Sequence, residues 1–277
     1  EANAKTVSMM PQRMDSYEGY LFRNQVIERE LPVNTSQWAA YQPLQMAQYY
    51  KKPQTGTTQG IPNYLIFPNV DWTKEILKPV AWSNHANFNI SGGSNFARYF
   101  GSLSYLHEGD LMNTGLDNGK PYDAAWGYDR FNYRTNLDFD ITQTTTFSVN
   151  LSGYVGIKTD SYNVSAQGSG NQTIFSELYQ CPPNIFALRF PTGEWGSNPN
   201  INTGNTVATI NNLGVEKKTR TQVSTDFSLK QKLDFITEGL SVQGTLSYDT
   251  RFNSAGGILD LGGNSYTKWI DPEIVNM

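Results

Sequence analysis

From residue 86 onward, apolar and polar positions alternate with a period of two, the spacing of a strand with one apolar and one polar face. Phe88 and Ile90 alternate with Asn87, Asn89 and Ser91, and Gly92-Gly93-Ser94-Asn95 marks a turn. Tyr99, Gly101, Leu103 and Tyr105 return against Ser102 and Ser104, with Phe100 the one apolar residue on the polar side. A second pair places Phe131, Tyr133, Leu137, Phe139 and Ile141 opposite Asn132, Arg134, Asn136, Asp138 and Asp140. It turns at Gln143-Thr144-Thr145 and returns through Phe147, Val149, Leu151, Val155 and Ile157. A third pair runs through Val223, Thr225, Phe227 and Leu229, turns at Thr237-Glu238-Gly239, and returns through Leu240, Val242, Gly244, Leu246 and Tyr248.

The first eighty residues follow a different period. Asp15-Ser16-Tyr17-Glu18 has the spacing of a capping box, and Tyr17, Tyr20, Leu21, Asn24 and Ile27 continue at helical spacing as far as Leu31-Pro32. A second short helix is expected from Pro43 to about Tyr50, with Pro at its first turn. A helical turn is expected through Lys74 to Leu77, after Pro68-Asn69-Val70-Asp71-Trp72.

A soluble sandwich also has strands with one apolar face, so the connections decide between the readings. Within each pair the turn is a few residues long. Between pairs the chain runs from 106 to 127, from 159 to 215, and on past 251, lengths uncommon for loops in compact domains. Short turns at one end and long loops at the other are the pattern of an outer-membrane barrel, and residues 131–141 suffice to cross a bilayer at a tilt. With the long loops outside, Phe131, Tyr105 and Tyr248 fall near the outer interface, and Tyr99, Phe139 and Phe147 near the inner one. The expected fold class is all-β: antiparallel strands forming an arc of a large transmembrane β-barrel, with a short helical insertion near the N-terminus. Residues 1–80 form the loop and helical insertion, and 81–277 the strands in hairpins with long extracellular loops, within one incomplete barrel domain. Six strands cannot close a wide pore.

Composition narrows the function. Hydrophobic residues are only 38% of the 277, yet aromatics are 13%, as expected of strands apolar on one side. The net charge is -4 and no basic stripe is present, which argues against nucleic acid as a partner. No apolar run approaches the roughly 20 residues of a transmembrane helix. The chain opens on Glu1 in polar sequence, without a signal peptide, and stops at Met277 after Asp271-Pro272-Glu273; both ends are expected to be cuts in a longer protein. Cys181, the single cysteine, beside Pro182-Pro183, reads as an unpaired thiol in a loop.

Several residue groups are candidates for chemistry. Asp138 and Asp140, beside Arg134, could serve a glycosidase as paired carboxylates, but a polar lumen face supplies such residues at alternate positions anyway. Asp117-Asn118-Gly119 lacks the further acidic positions of a calcium loop and reads as a tight turn. Ser91-Gly92-Gly93-Ser94 has no helix after it to present amides to a phosphate. His85 and His107 have no other ligands nearby in sequence, and Asn-x-Ser triplets such as Asn150-Leu151-Ser152 lie in strands. Trp126, Trp195, Tyr162, Tyr179 and Phe186 lie in the long loops, where they either stack on a ligand or pack the loops together. No catalytic residue, cofactor site or metal site is expected, and no substrate-binding residue is assigned.

The ordered series Asn69-Val70-Asp71-Trp72, then Ala81-Trp82-Ser83-Asn84-His85-Ala86-Asn87-Phe88-Asn89-Ile90-Ser91-Gly92-Gly93-Ser94, then Ala97-Arg98-Tyr99-Phe100, resembles the SusC/RagA-type TonB-dependent transporters of Bacteroidetes. Asp129-Arg130-Phe131-Asn132-Tyr133-Arg134-Thr135-Asn136-Leu137-Asp138 resembles the family's next strand, and Met14-Asp15-Ser16-Tyr17-Glu18 with Arg23-Asn24 resembles its preceding helical insertion. The match covers residues 9 to 158 at the level of motifs; beyond them it rests on the strand pattern. The resemblance implies import of large nutrients, oligosaccharides or peptides, across the cell outer membrane. It also implies a SusD-like surface lipoprotein as a lid and energy from the TonB complex through a plug domain absent from this chain. The rival expectations are a surface carbohydrate-binding β-domain without transport activity and a polysaccharide-degrading enzyme. The first requires apolar faces packed into a two-layer core, and the second facing carboxylates in a cleft.

Overall fold

The change of period near residue 81 is where the long strands begin. The computed structural model describes residues 1–8, 10, 12–36, 41–51, 55–116, 119–161, 170–200, 204–212, 214–260 and 267–272. Seven strands form one antiparallel sheet: β1 (Ala2–Lys5), β2 (Ala81–Gly93), β3 (Ala97–Gly109), β4 (Gly127–Asp140), β5 (Thr145–Asp160), β6 (Gly214–Lys232) and β7 (Ser241–Leu259). They lie side by side in chain order, and β1 and β7 are the two edges of an unclosed sheet among the described residues. The fold is therefore all-β, an open arc of a large barrel with a few short helices.

The register shows why the arc has two unlike faces. Tyr105, Phe131, Val155, Thr221 and Phe252 fall in one row across five strands. Ile90, Gly101, Thr135, Leu151, Thr225 and Tyr248 form another row of the same face. Directly paired residues share a face, so every apolar set of the three hairpins ends up on one side. Nothing among the described residues covers that side: Phe88 is 60% exposed and Leu246 70%. Between the rows of Phe131 and Phe139 the apolar face extends about 27 Å along the strands, or about 21 Å along an axis from which they tilt by about 40°. Outer-membrane barrels carry an apolar band roughly 25 Å tall. The two-layer core required of a soluble sandwich does not form among these strands.

Glycines on the sheet are filled from the neighbouring strand. The ring of Tyr99 lies over its pair partner Gly92, and that of Tyr133 over its partner Gly153, where any Cβ would collide with the ring. An aromatic ring laid over a cross-strand glycine restores the packing that the glycine lacks.

Four expectations need correction. The sheet contains β1, whose Ala-Asn-Ala-Lys sequence carries no alternation and which is a strand because it pairs with residues 81–84. The chain past Arg251 is not yet loop: β7 continues to Leu259, where Ser254-Ala255-Gly256-Gly257 offers no apolar contrast but pairs with residues 216–219. Tyr248 shares the row of Leu151, and Phe252 takes the place beside Tyr105 and Phe131. The short helix after Asp71 runs Trp72–Ile76, because Asp71 caps it by accepting from the Lys74 N–H.

The turns 94–96, 141–144 and 233–240 lie at one end of the sheet, and the long connections 6–80, 110–126 and 161–213 at the other. Those connections hold the helices α1 (Ser16–Glu30), α2 (Leu44–Lys51), α3 (Asn63–Ile66), α4 (Trp72–Ile76), α5 (Gly170–Gln180) and α6 (Thr206–Asn212). The expected capping box is present at α1: Asp15 Oδ1 accepts from Glu18 N–H at 2.7 Å, and Glu18 accepts back from Asp15 N–H. The three clusters of buried apolar side chains are built almost wholly from these connections, not from the strands.

Candidate functional site: the loop module and the polar strand face

Two surfaces of this chain are the candidates for contact with other molecules: the module built from the long loops, and the polar face of the sheet beneath it.

The module is organised around the segment 69–72. Asn69 Oδ1 accepts from the backbone N–H of Ser16 at 3.0 Å, and Ser16 Oγ donates to Pro68 O at 2.8 Å, which fixes the start of α1. Val70 N–H donates to Pro183 O at 3.0 Å. Trp72 is 1% exposed, packs edge-on against Phe186 at 5.2 Å between ring centroids, and donates its indole N–H to Pro182 O at 3.1 Å. A short stretch of sequence thus ties the connection 6–80 to the connection 161–213.

Other contacts bind the remaining loop. Arg13 donates to Leu178 O at 2.7 Å and to Cys181 O at 2.5 Å, holding the carbonyl end of α5 where cationic donors are favoured. Asn113 N–H donates to Ile76 O at 2.6 Å, and Leu116 N–H to Asn211 Oδ1 at 3.1 Å. The Tyr122 hydroxyl lies 3.0 Å from Asn212 O and 3.2 Å from Asp260 Oδ2, and accepts from Gly214 N–H. Burial, with Asp260 beside it, pushes that phenol up to about 12. Lys120 pairs with Asp260 at 2.7 Å, largely shielded from solvent.

Trp126, Trp195 and Phe186 are buried in the core of the module, so of the two readings of the loop aromatics these three pack loop against loop. Tyr179 is 43% exposed. Tyr162 and Asp117-Asn118 lie outside the described residues. Cys181 is buried in the same core, and desolvation pushes its thiol up to about 12. An open cavity of about 590 Å³ is lined by Arg13, Met14, Asn69, Asp71, Trp72 and Lys74, among others. Sequence reasoning missed Arg13: nothing in its neighbourhood marks it, and its partners lie 165 and 168 residues away.

The carboxylates singled out in the strands, and His107, have partners of their own. Asp138 accepts from Ser148 Oγ at 2.6 Å, and Asp140 pairs with Arg98 at 2.5 Å and accepts from Thr146. Each carboxylate is held by its own cross-strand partner, so the two do not face one another across a cleft. His107 Nδ1 lies 2.8 Å from Asp129, which also accepts from the Tyr105 hydroxyl at 2.6 Å, at the loop end of the otherwise apolar face. Among the described residues no group of three His, Cys, Asp or Glu could hold a metal ion. No described helix is long and apolar enough to cross a membrane, which leaves strand crossing untouched.

The geometry defines a class, a wall segment of a large β-barrel with its loops folded into a module at one end. No family model and no curated protein matches the chain. Solved structures do. A chain of the RagAB peptide transporter superposes with a TM-score of 0.58 at 15% identity, covering 92% of this chain and 27% of that one. Chains of the RagAB peptide importer match in its 'open-open' state, with a TM-score of 0.58 at 14% identity, and in its 'closed-closed' state, with 0.55 at 13%. Both cover 92% of this chain. This chain therefore spans about a quarter of the length of those chains, and the likeness establishes a shared fold.

Proposed function

We propose that this chain is part of the barrel wall of an outer-membrane, TonB-dependent importer of large nutrients, oligosaccharides or peptides. The observation that carries the reading is the uncovered apolar face: a sheet of this area with side chains such as Phe88, Leu246 and Phe252 bare to one side is stable where lipid solvates them. The opposite face, rich in Asn, Ser, Arg and Asp, would line the aqueous interior. The loop module is the surface offered to a SusD-like lipoprotein lid and to substrate. Drive would come from the TonB complex acting on a plug domain that lies outside this chain. The reading assigns the wall no catalytic role. What supports the importer role is the ordered series of motifs together with the fold shared with chains of RagAB, a peptide transporter.

The test is fractionation of cells expressing the full-length protein, followed by uptake. The protein is expected in the outer-membrane fraction, with heat-dependent migration on a gel, and its deletion is expected to abolish growth on one class of oligomeric nutrient. Recovery in the soluble periplasmic fraction would overturn the membrane assignment; unaltered growth on every peptide and glycan tried would overturn the importer role.

A further inference from the structure

The polar face of the sheet is not uniform in charge. Toward the turns Arg98 pairs with Asp140, and acidic and basic residues, Asp138, Asp226, Lys230 and Lys232, are mixed. At the loop end, Lys158 pairs with Asp160 at 2.8 Å, Lys218 with Glu216 at 2.7 Å, and Lys5 with Glu108 at 3.2 Å. Just below these, Arg130, Arg134, Arg220 and Arg251 enter no ion pair among the described residues. Register puts all four on the polar face. Arg130 and Arg220 share a row with Gly156 between them, so they stand about 10 Å apart at ordinary strand spacing. Arg251 pairs with Gln222, one step further along the face, and Arg134 lies two same-face steps from Arg130. The carboxylate and imidazole groups sharing these rows are Asp249, level with Arg134, and His85 and Glu1, at the far end of the row of Arg130, two and three strands away.

Three of the four guanidinium groups, those of Arg130, Arg220 and Arg134, are held rather than loose. Arg130 stacks on the ring of Tyr154 at 4.2 Å, Arg220 donates through Nε to Asn253 at 3.2 Å, and Arg134 through Nε to Asn136 at 3.2 Å. The Nε–H of Arg130 is buried without a hydrogen-bond partner, a costly condition for a charged donor. Donation through Nε and stacking on a ring both leave the paired terminal N–H groups of the fork available, the geometry that takes a carboxylate through two parallel bonds.

We infer that this patch is a binding surface for the side-chain carboxylates of an acidic peptide on its way through the barrel. The inference rests on the importer reading above and names its substrate class. Four arginines against Asp249 and the distant Glu1 in their rows favour an anion. Asn132 and Gln222 lie between the arginines on the same face and can both donate to and accept from peptide backbone groups. The near face of Tyr154 is taken by Arg130 and is not free to stack on a sugar ring, so the peptide is favoured over an acidic glycan.

The experiment uses the full-length transporter in detergent and a fluorescent decapeptide of alternating Gly and Glu, beside its Gly-Gln counterpart and an oligogalacturonate. The Glu peptide is expected to bind on the order of 100-fold more tightly than the Gln peptide, for two charge-assisted contacts. Arg130→Gln with Arg220→Gln is expected to bring that ratio to within several-fold of unity, by weakening the Glu peptide far more than the Gln peptide. Arg→Lys at both positions is expected to retain part of the ratio, because charge remains and the fork does not. Equal binding of the two peptides overturns the inference, as does binding of the oligogalacturonate in place of the Glu peptide. So does a lowered melting temperature of the double variant with the peptide ratio unchanged, which would mean that these arginines pair with another part of the protein. Failure here with outer-membrane location and uptake intact removes only the substrate class; soluble location removes the importer reading itself.

Discussion

Leu246 and Trp72 are both large apolar side chains, yet the first is 70% exposed and the second 1%. The difference runs through the molecule. In the sheet, apolar side chains are gathered on one face and left bare, and the backbone is satisfied by seven strands pairing in order. In the loop module, apolar side chains from distant segments meet in a dry core, as in a small soluble domain. The sheet is therefore suited to an apolar solvent, and the module, which carries its own dry core, to water. Each is stabilised by a different term, and substitutions can separate them.

Trp72→Ala is expected to have the largest effect, about 3–5 kcal/mol on the loop module, from the cavity it leaves and the loss of the bond to Pro182. Protease cutting within the loops should rise sharply while heat-dependent gel migration of the full-length barrel persists. Loss of the barrel as well would erase the distinction between the two regions. Leu151→Arg comes next, at about 2–4 kcal/mol if the residue sits at mid-membrane, whereas Asn150→Arg should be nearly neutral. Refolding of both variants into lipid vesicles measures this, and equal tolerance at the two positions would contradict the face assignment.

Asp15→Ala should cost about 1 kcal/mol through loss of the α1 cap, seen as faster amide exchange over the first turn of the helix with no change in the strands. The mildest effect concerns Cys181. Its thiol is pushed from the ordinary 9.0 up to about 12, so the folded module holds this proton more tightly than the unfolded one. The stabilisation is present in full below about 9 and is lost as pH rises toward 12. At pH 8 the thiol should resist alkylation in the native protein and react once the module opens, as in Trp72→Ala; rapid native-state alkylation would show that the core is not dry.

The legibility of the sequence differs between the same two regions. The six long strands, their faces and the short turns could be read because alternation is a local property: each residue's neighbours two positions away carry the signal. The capping box of α1 was legible for the same reason, with both partners within three residues. The strand Ala2–Lys5 and the last stretch of β7 were not, since four small or polar residues become a strand only when a partner edge is present. The roles of Asn69, Val70 and Trp72 were visible as a motif but not as contacts, and Arg13 was not visible at all, because their partners are 50 to 170 residues distant.

What the sequence alone determined is the wall: a period of two, kept over three hairpins, dictates which side chains share a face whatever surrounds them. What only the tertiary structure decided is the register that lines those faces into continuous rows, the exact edges of the arc, and the folding of the long loops into one core. The physical reason is range. Strand patterning is set by backbone geometry within a few residues, whereas the loop core and the unpaired arginine patch arise from juxtaposition of segments that the sequence keeps far apart.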